Sequence, residues 1–255
     1  EGYIDGVDAR VNDWPIIKDS LYHDQKLIDF LNMSTGDQKY IDEFKSYMGT
    51  TKLTNYEDIS IAQTMSVALK DSVKSKSIYN YNGFVTQLII NYTKHKTGDD
   101  YEKLLNKIFA DKVKIKYSIL PYRNSGTGQG KLHPTISATR YDWLRIAKAI
   151  MDDYQNDTCV GKYLKTIYER RISKSNRDKN EPLFGRTKTY GGQFHMDYPG
   201  LKDRVVFGFS GYGGNVILID VEKSRIVVLN SVHYNNKKFK YNMKKLLIDP
   251  IKKGK

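Results

Sequence analysis

The stretch VVFGFSGYGGNVILIDVEKSRIVVLN, Val205–Asn230, decides the fold. Its side chains alternate with a period of two, the spacing that sends successive residues to opposite faces of a strand. Tyr212–Gly214 (YGG) and Glu222–Ser224 (EKS) interrupt the alternation, and joints this short fit antiparallel hairpins. Three strands are therefore expected, Arg204–Gly211, Asn215–Val221 and Arg225–Tyr234, with a fourth before them at Lys188–Asp197 (KTYGGQFHMD). A basic amphipathic segment, Asn242–Ile251, follows and reads as a helix packed on the sheet.

Upstream the period changes. Asp24–Met33 has Leu27, Ile28, Phe30 and Leu31 near helical spacing, and Gly36 closes it. Gly83–Gly98, Asp99–Val113, Thr139–Gln155 and Cys159–Ile172 read as further helices, and Tyr56–Asp71 as a helix or a loop followed by a helix; the acidic first turn of Asp99–Val113 suits the positive end of a helix dipole. Glu1–Tyr22 reads as loop with short turns, Leu120–Thr135 as a glycine-rich loop, and Ser173–Arg186 as a surface connection. Helices come first, an antiparallel sheet after them and one helix last, which is the α+β class and not alternating α/β. The 255 residues are read as one domain, a mainly helical region over 1–187 followed by strands and a C-terminal helix over 188–255.

Composition narrows function by exclusion. Lys and Arg total 42 against 29 Asp and Glu, a formal net charge of +13 that attracts nucleic acid or an anionic surface when it is concentrated. Here the basic runs Lys70–Ser77, Glu169–Lys179 and Lys252–Lys255 lie far apart and are mixed with polar residues, so each reads as solvated surface and no nucleic-acid partner is expected. A basic nucleic-acid-binding domain is the rival from another class, and it requires exposed aromatics among clustered cations. The longest apolar runs, such as Val85–Ile90, fall far short of the ~20 residues of a membrane span. Cys159 is the single cysteine, which rules out an intramolecular disulfide, and it is expected to pack as a small buried hydrophobe. His23, His95, His133, His195 and His233 lack metal-ligand spacing, and the glycines of Gly128–Thr135 and Tyr212–Asn215 lack the GK[ST] ending of a phosphate loop; no metal or other cofactor is expected.

Gly208-Phe209-Ser210-Gly211-Tyr212 approaches the G-x-S-x-G nucleophile elbow, but the second residue after Ser210 is Tyr212 and the strand runs into a hairpin rather than a helix. Ser210 is thus a poor nucleophile and reads as part of a strand lining a site. Gly211 carries no side chain, so a substrate can lie against the backbone there and receive an amide hydrogen bond at a developing oxyanion. A tight, twisted hairpin requires the same glycines, and on the residues alone the two readings are equal.

Four segments also stand in a particular order: DQKLIDFLNMSTGD (Asp24–Asp37), YNYNGFVTQLI (Tyr79–Ile89), ATRYDWLRIAKAIM (Ala138–Met151), and the span from YGGQF to RIVVLNSV (Tyr190–Val232). In that order they resemble the segments of serine beta-lactamase-related hydrolases, the family of penicillin-recognising enzymes and esterases that includes class C beta-lactamases and 6-aminohexanoate-dimer hydrolases. The resemblance runs from Gly2 to about Asn235. It implies a beta-lactamase/transpeptidase-like fold, a helical region against an antiparallel sheet. It also implies acyl-enzyme chemistry on a small-molecule ester, amide or peptide-like substrate, in which a serine nucleophile divides one difficult step into two. Members of the family are often exported.

The family's chemistry rests on three motifs: S-x-x-K with the nucleophile and its lysine, Y-x-N or Y-x-S with a proton-shuttling tyrosine, and a late K-T-G or H-S-G strand. Tyr81 resembles the shuttle, but the third motif position is then Gly83; either Asn82 stands in for the missing side chain or the register places Tyr79 at the tyrosine. Phe209-Ser210-Gly211 resembles the late strand, with Phe209 where the family has a cation, which points away from substrates that need a carboxylate anchor. By the same resemblance the backbone N–H of Tyr212 is an oxyanion-hole donor. No serine of the chain has lysine three positions on, and the resemblance places that motif shortly before Glu1. The chain is therefore expected to be incomplete at its N-terminus, without its first strands and nucleophile helix, in keeping with a first residue that is not Met. The rival within the fold is a non-catalytic binding protein, which Gly83 and Phe209 favour.

Overall fold

The computed structural model describes residues 2–37, 74, 76–81, 83–117, 120–124, 131–174, 187–211, 215–230 and 244–254. They fall into two compact units, Glu1–Leu104 with Ile119–Ser137, and Leu105–Ser118 with Ala138–Lys255. The class is mixed helix and antiparallel sheet, the α+β arrangement expected from the order of periods. The predicted helix Tyr56–Asp71 lies outside the described residues.

In the first unit the opening segment is tied back on itself. Val11 N–H donates to the Gln25 carbonyl at 2.8 Å beside a bridge between Arg10 and Lys26. A 3-10 turn, Pro15–Ile17, starts with proline, where the missing donor is not needed. Helix α1, Leu27–Leu31, is shorter than predicted, because the chain already leaves helical geometry at Met33 with φ 54°. Helix α2, Gly83–Thr97, fills the predicted span and stops at Gly98, whose φ of 50° takes it out of the right-handed helix. Trp14 packs against its end, 6.0 Å from Tyr92 and 6.3 Å from His95 between ring centroids. Asp13 accepts hydrogen bonds there from Tyr92 Oη at 3.0 Å and Lys96 Nζ at 2.7 Å.

The predicted loop at Leu120–Thr135 is corrected. Strands β1, Leu120–Asn124, and β2, Lys131–Ser137, pair antiparallel, with a register shift between Pro121 and Arg123. Each strand contains a proline, which reads as a breaker in sequence; a two-stranded ribbon has two free outer edges where a missing N–H costs no ladder bond. The predicted helix Asp99–Val113 is present in three pieces: a 3-10 turn Gly98–Asp100, helix α3 Tyr101–Asn106, and a π turn Lys107–Lys112. Its apolar side is not core, since Ile108 is 37% exposed and no residue of α3 or the π turn is buried.

The second unit is built on six antiparallel strands in the order β3 (Ile172–Ser173), β4 (Thr189–Gly191), β5 (Phe194–Met196), β6 (Val206–Gly211), β7 (Asn215–Asp220) and β8 (Arg225–Leu229). Two helices, α4 (Arg140–Gln155) and α5 (Cys159–Glu169), supply Tyr154 and Tyr168, which meet the Phe207 ring edge-on at 5.9 Å and 6.1 Å. The alternate residues of β6 and β7 serve a separate cluster: Val206, Val216 and Leu218 pack with Leu247, Ile248 and Ile251 of the C-terminal segment, which is a π turn Lys244–Ile248 running into helix α6, Asp249–Lys253. Burial of each such side chain is worth about 1.5–3 kcal/mol relative to exposure. The predicted C-terminal helix on the sheet is thus present from Lys244 onward.

Four further expectations are corrected here. Lys188–Asp197 is not one strand but the hairpin β4–β5, turning at Gly192 and Gln193 with φ of 58° and 70°, the pair of positive values a type I′ turn requires. Ile172 ends no helix; it begins β3, paired with Tyr190. Lys174, read as surface connection, is 2% exposed. Cys159 is exposed, at the first position of α5 where the side chain projects away from the core.

Candidate functional site

The site is built on β6. Along its whole length β6 pairs with β7, from Val206 opposite Asp220 to Gly211 opposite Asn215. On its other side it meets β5 at a single position, His195 opposite Gly208. Strand β5 begins at Phe194 and the chain turns away toward β4 at Gln193, so Ser210 and Gly211 run past it. On that side neither residue has a strand partner among the described residues.

Gly208 holds β6 in register for a packing reason. A Cβ there would fall 1.9 Å from the hydroxyl oxygen of fully buried Tyr198. Phe209 points with Phe207 toward the side of α4 and α5, and lies 6.1 Å from Trp143 and 5.8 Å from Phe194 between ring centroids. Trp143 is placed by the start of α4. Thr139 Oγ1 accepts from Asp142 N–H, and the Asp142 carboxylate in turn accepts from Lys116 N–H at 2.9 Å, Thr139 Oγ1 at 2.8 Å and Arg145 Nη1 at 2.8 Å. Burial pushes the Asp142 carboxyl up, but these hydrogen bonds and the Arg145 charge together hold it below the usual carboxylate range.

On the opposite face of β5 sits a buried polar network that the sequence reading missed. Lys174 Nζ donates to Thr187 Oγ1 at 3.1 Å and to His195 Nδ1 at 3.3 Å, and the Tyr190 ring meets the imidazole edge-on at 5.1 Å. A lysine that donates to Nδ1 leaves the imidazole proton on Nε2. Burial, and then the Lys174 charge, hold His195 neutral with a pKa lowered to about 3.

The other predicted residues are placed as follows. Tyr81 lies in the first unit immediately before α2 and is 56% exposed, while Tyr79, the alternative in the motif register, is 4% exposed. Asn80 N–H donates to the Met33 carbonyl at 2.8 Å, so the segments DQKLIDFLNMSTGD and YNYNGFVTQLI are side by side within that unit. Ser210 and Gly211 are consecutive at the end of β6 in the second unit. Asn82 and Tyr212 lie outside the described residues. A depression of about 500 Å³ in the first unit, lined by Arg10, His23, Asp24, Lys26 and Lys74, contains none of the predicted site residues. Its cations are held in ion pairs, Arg10 with Asp24 at 3.2 Å, Lys26 with Asp8 at 2.9 Å and Lys74 with Asp29 at 3.7 Å.

Trp143 and Phe194 are functional candidates that sequence reasoning did not single out. Phe194 was legible only as a strand residue, and the signal that joins it to Phe209 is register, which appears once β5 is known to start there. Among the described residues no helix is long and apolar enough to cross a membrane. No protein-family model matches the chain, and no curated protein matches it.

Proposed function

We propose that the chain is the rear part of a serine hydrolase of the beta-lactamase-related class, acting on an ester, amide or peptide-like substrate through an acyl-enzyme. The observation that carries the reading is the overhang of Ser210 and Gly211 past the end of β5, on the segment that resembles the family's late strand. A substrate carbonyl lying along that edge is oriented by backbone groups that need not be pulled out of a ladder. By the resemblance, Tyr81 and Asn82 are the residues matched to the family's proton-shuttle motif, and the Tyr212 N–H is matched to its oxyanion donor. The nucleophile is contributed by polypeptide outside Glu1–Lys255.

The test is labelling with a fluorophosphonate, which traps activated serines. Glu1–Lys255 alone is expected to remain unlabelled. The same chain expressed with the codons that precede Glu1 in its gene is expected to label at a serine followed three residues later by lysine, and Tyr81→Phe should slow that labelling by tenfold or more. Labelling of Ser210, or an upstream frame without such a serine, overturns the hydrolase reading. The second outcome selects instead a non-catalytic binding protein of the same fold, which Phe209 at the cation position favours.

A further inference from the structure

Trp143, Phe194 and Phe209 come from three different elements and meet where β6 outruns β5. All three are half-buried, so each keeps part of its ring at the surface. Their planes are tilted, 59° between Trp143 and Phe209 and 61° between Phe194 and Phe209. Phe194 also meets Phe207 edge-on at 5.2 Å, and Phe207 is fully buried. The rings thus form one run from the core toward the end of β6. Aromatics backed in this way have little rotamer freedom left to lose when a ligand settles on them. Their faces carry the negative side of the ring quadrupole, which disfavours a carboxylate and suits the edge of another aromatic ring. Arg145, two residues from Trp143 on α4, is committed to Asp142.

We propose that Trp143, Phe194 and Phe209 form a binding subsite for an uncharged aromatic group, carried on a ligand whose carbonyl lies beside the end of β6. The fate of that carbonyl rests on the hydrolase reading; the binding of the aromatic group does not. The subsite selects neutral aryl-bearing esters and amides over purely aliphatic or carboxylate-bearing ones.

The chain has two tryptophans, Trp14 in the core and Trp143 at the subsite, so Trp14→Phe leaves Trp143 as the sole reporter. Titration with 4-phenylbutyramide is expected to give a saturable change in Trp143 emission. Butyramide, which lacks the ring, and phenylacetylglycine, which adds a carboxylate, should each bind at least tenfold more weakly. Phe209→Leu, which keeps the bulk and removes the ring, should weaken the aryl amide at least fivefold with far-UV circular dichroism unchanged. If Trp14→Phe fails to fold, saturation-transfer NMR on the unaltered chain reads the same contact at the ligand's ring protons. No saturable binding of the aryl amide, equal affinity for all three probes, or indifference to Phe209→Leu overturns the subsite. Loss of serine labelling in the extended chain with the Trp143 signal intact overturns the hydrolase reading and leaves the subsite standing.

Discussion

Protonating His195 in place would set a second cation 3.3 Å from Lys174 Nζ where water is excluded. An unfolded histidine takes up its proton near pH 6.5, whereas the folded one does so only near 3. Between those values the unfolded chain binds a proton that the folded chain refuses, so stability is complete above about pH 6.5 and falls as the pH drops toward 3. His195→Gln should remove that share of the acid limb, flattening it by about 1.4 kcal/mol per pH unit when urea unfolding is followed across roughly pH 6 to 4. An unchanged slope would mean that the imidazole is not the group refusing the proton. None of this was legible in sequence. Lys174 stands in a polar run, and its burial depends on Thr187 and His195, which are 13 and 21 residues further on. Ser210 and Gly211, by contrast, were legible as the end of a strand because alternation is a local signal.

At the level of elements, α4 and α5 are joined through one contact that allows no extra atom. The Thr158 cap of α5 donates to Asp153 Oδ1 at 2.7 Å and accepts from Gly161 N–H at 3.1 Å, which draws Gly161 onto α4. A Cβ at Gly161 would fall 2.0 Å from the Asp153 carbonyl oxygen. Gly161→Ala must therefore spread the two helices, and thermal denaturation should show a loss of about 3 kcal/mol or more, against less than about 0.5 kcal/mol for the exposed neighbour Val160→Ala. Equal effects at the two positions would remove the close approach as the cause. Helices α2, α4 and α5 were readable because their caps and periods lie in contiguous sequence. The β4–β5 hairpin was not, since its turn uses Gln193 at a positive φ where asparagine or glycine is the usual sign. The β1–β2 ribbon was hidden by the prolines and the glycine-rich stretch between its strands.

Across the molecule the order of periods gave the α+β class, because each period is a property of a short window. The place where β6 runs past β5 beside Ser210 was not readable, because it depends on where another strand stops. The net charge of +13 is distributed, and part of it is committed within the fold: Lys96 to Asp13, Lys112 to Asp153, Arg171 to Asp197 and Arg204 to Asp220. Filter binding of a single-stranded 30-mer should accordingly detect weak retention at low salt that is lost by about 0.2 M, the steep salt dependence of phosphate contacts alone. Submicromolar retention that survives that salt would restore the nucleic-acid rival. One contact in β6 reaches beyond energetics. With the Tyr198 hydroxyl 1.9 Å and Leu218 Cδ2 2.8 Å from where a side chain at Gly208 would start, Gly208 cannot change alone over descent. A lineage that trades Gly208 for a larger residue must make room at Tyr198 and Leu218 with it, so these three positions form a linked set by which kinship with this chain can be recognised after most of its surface has changed.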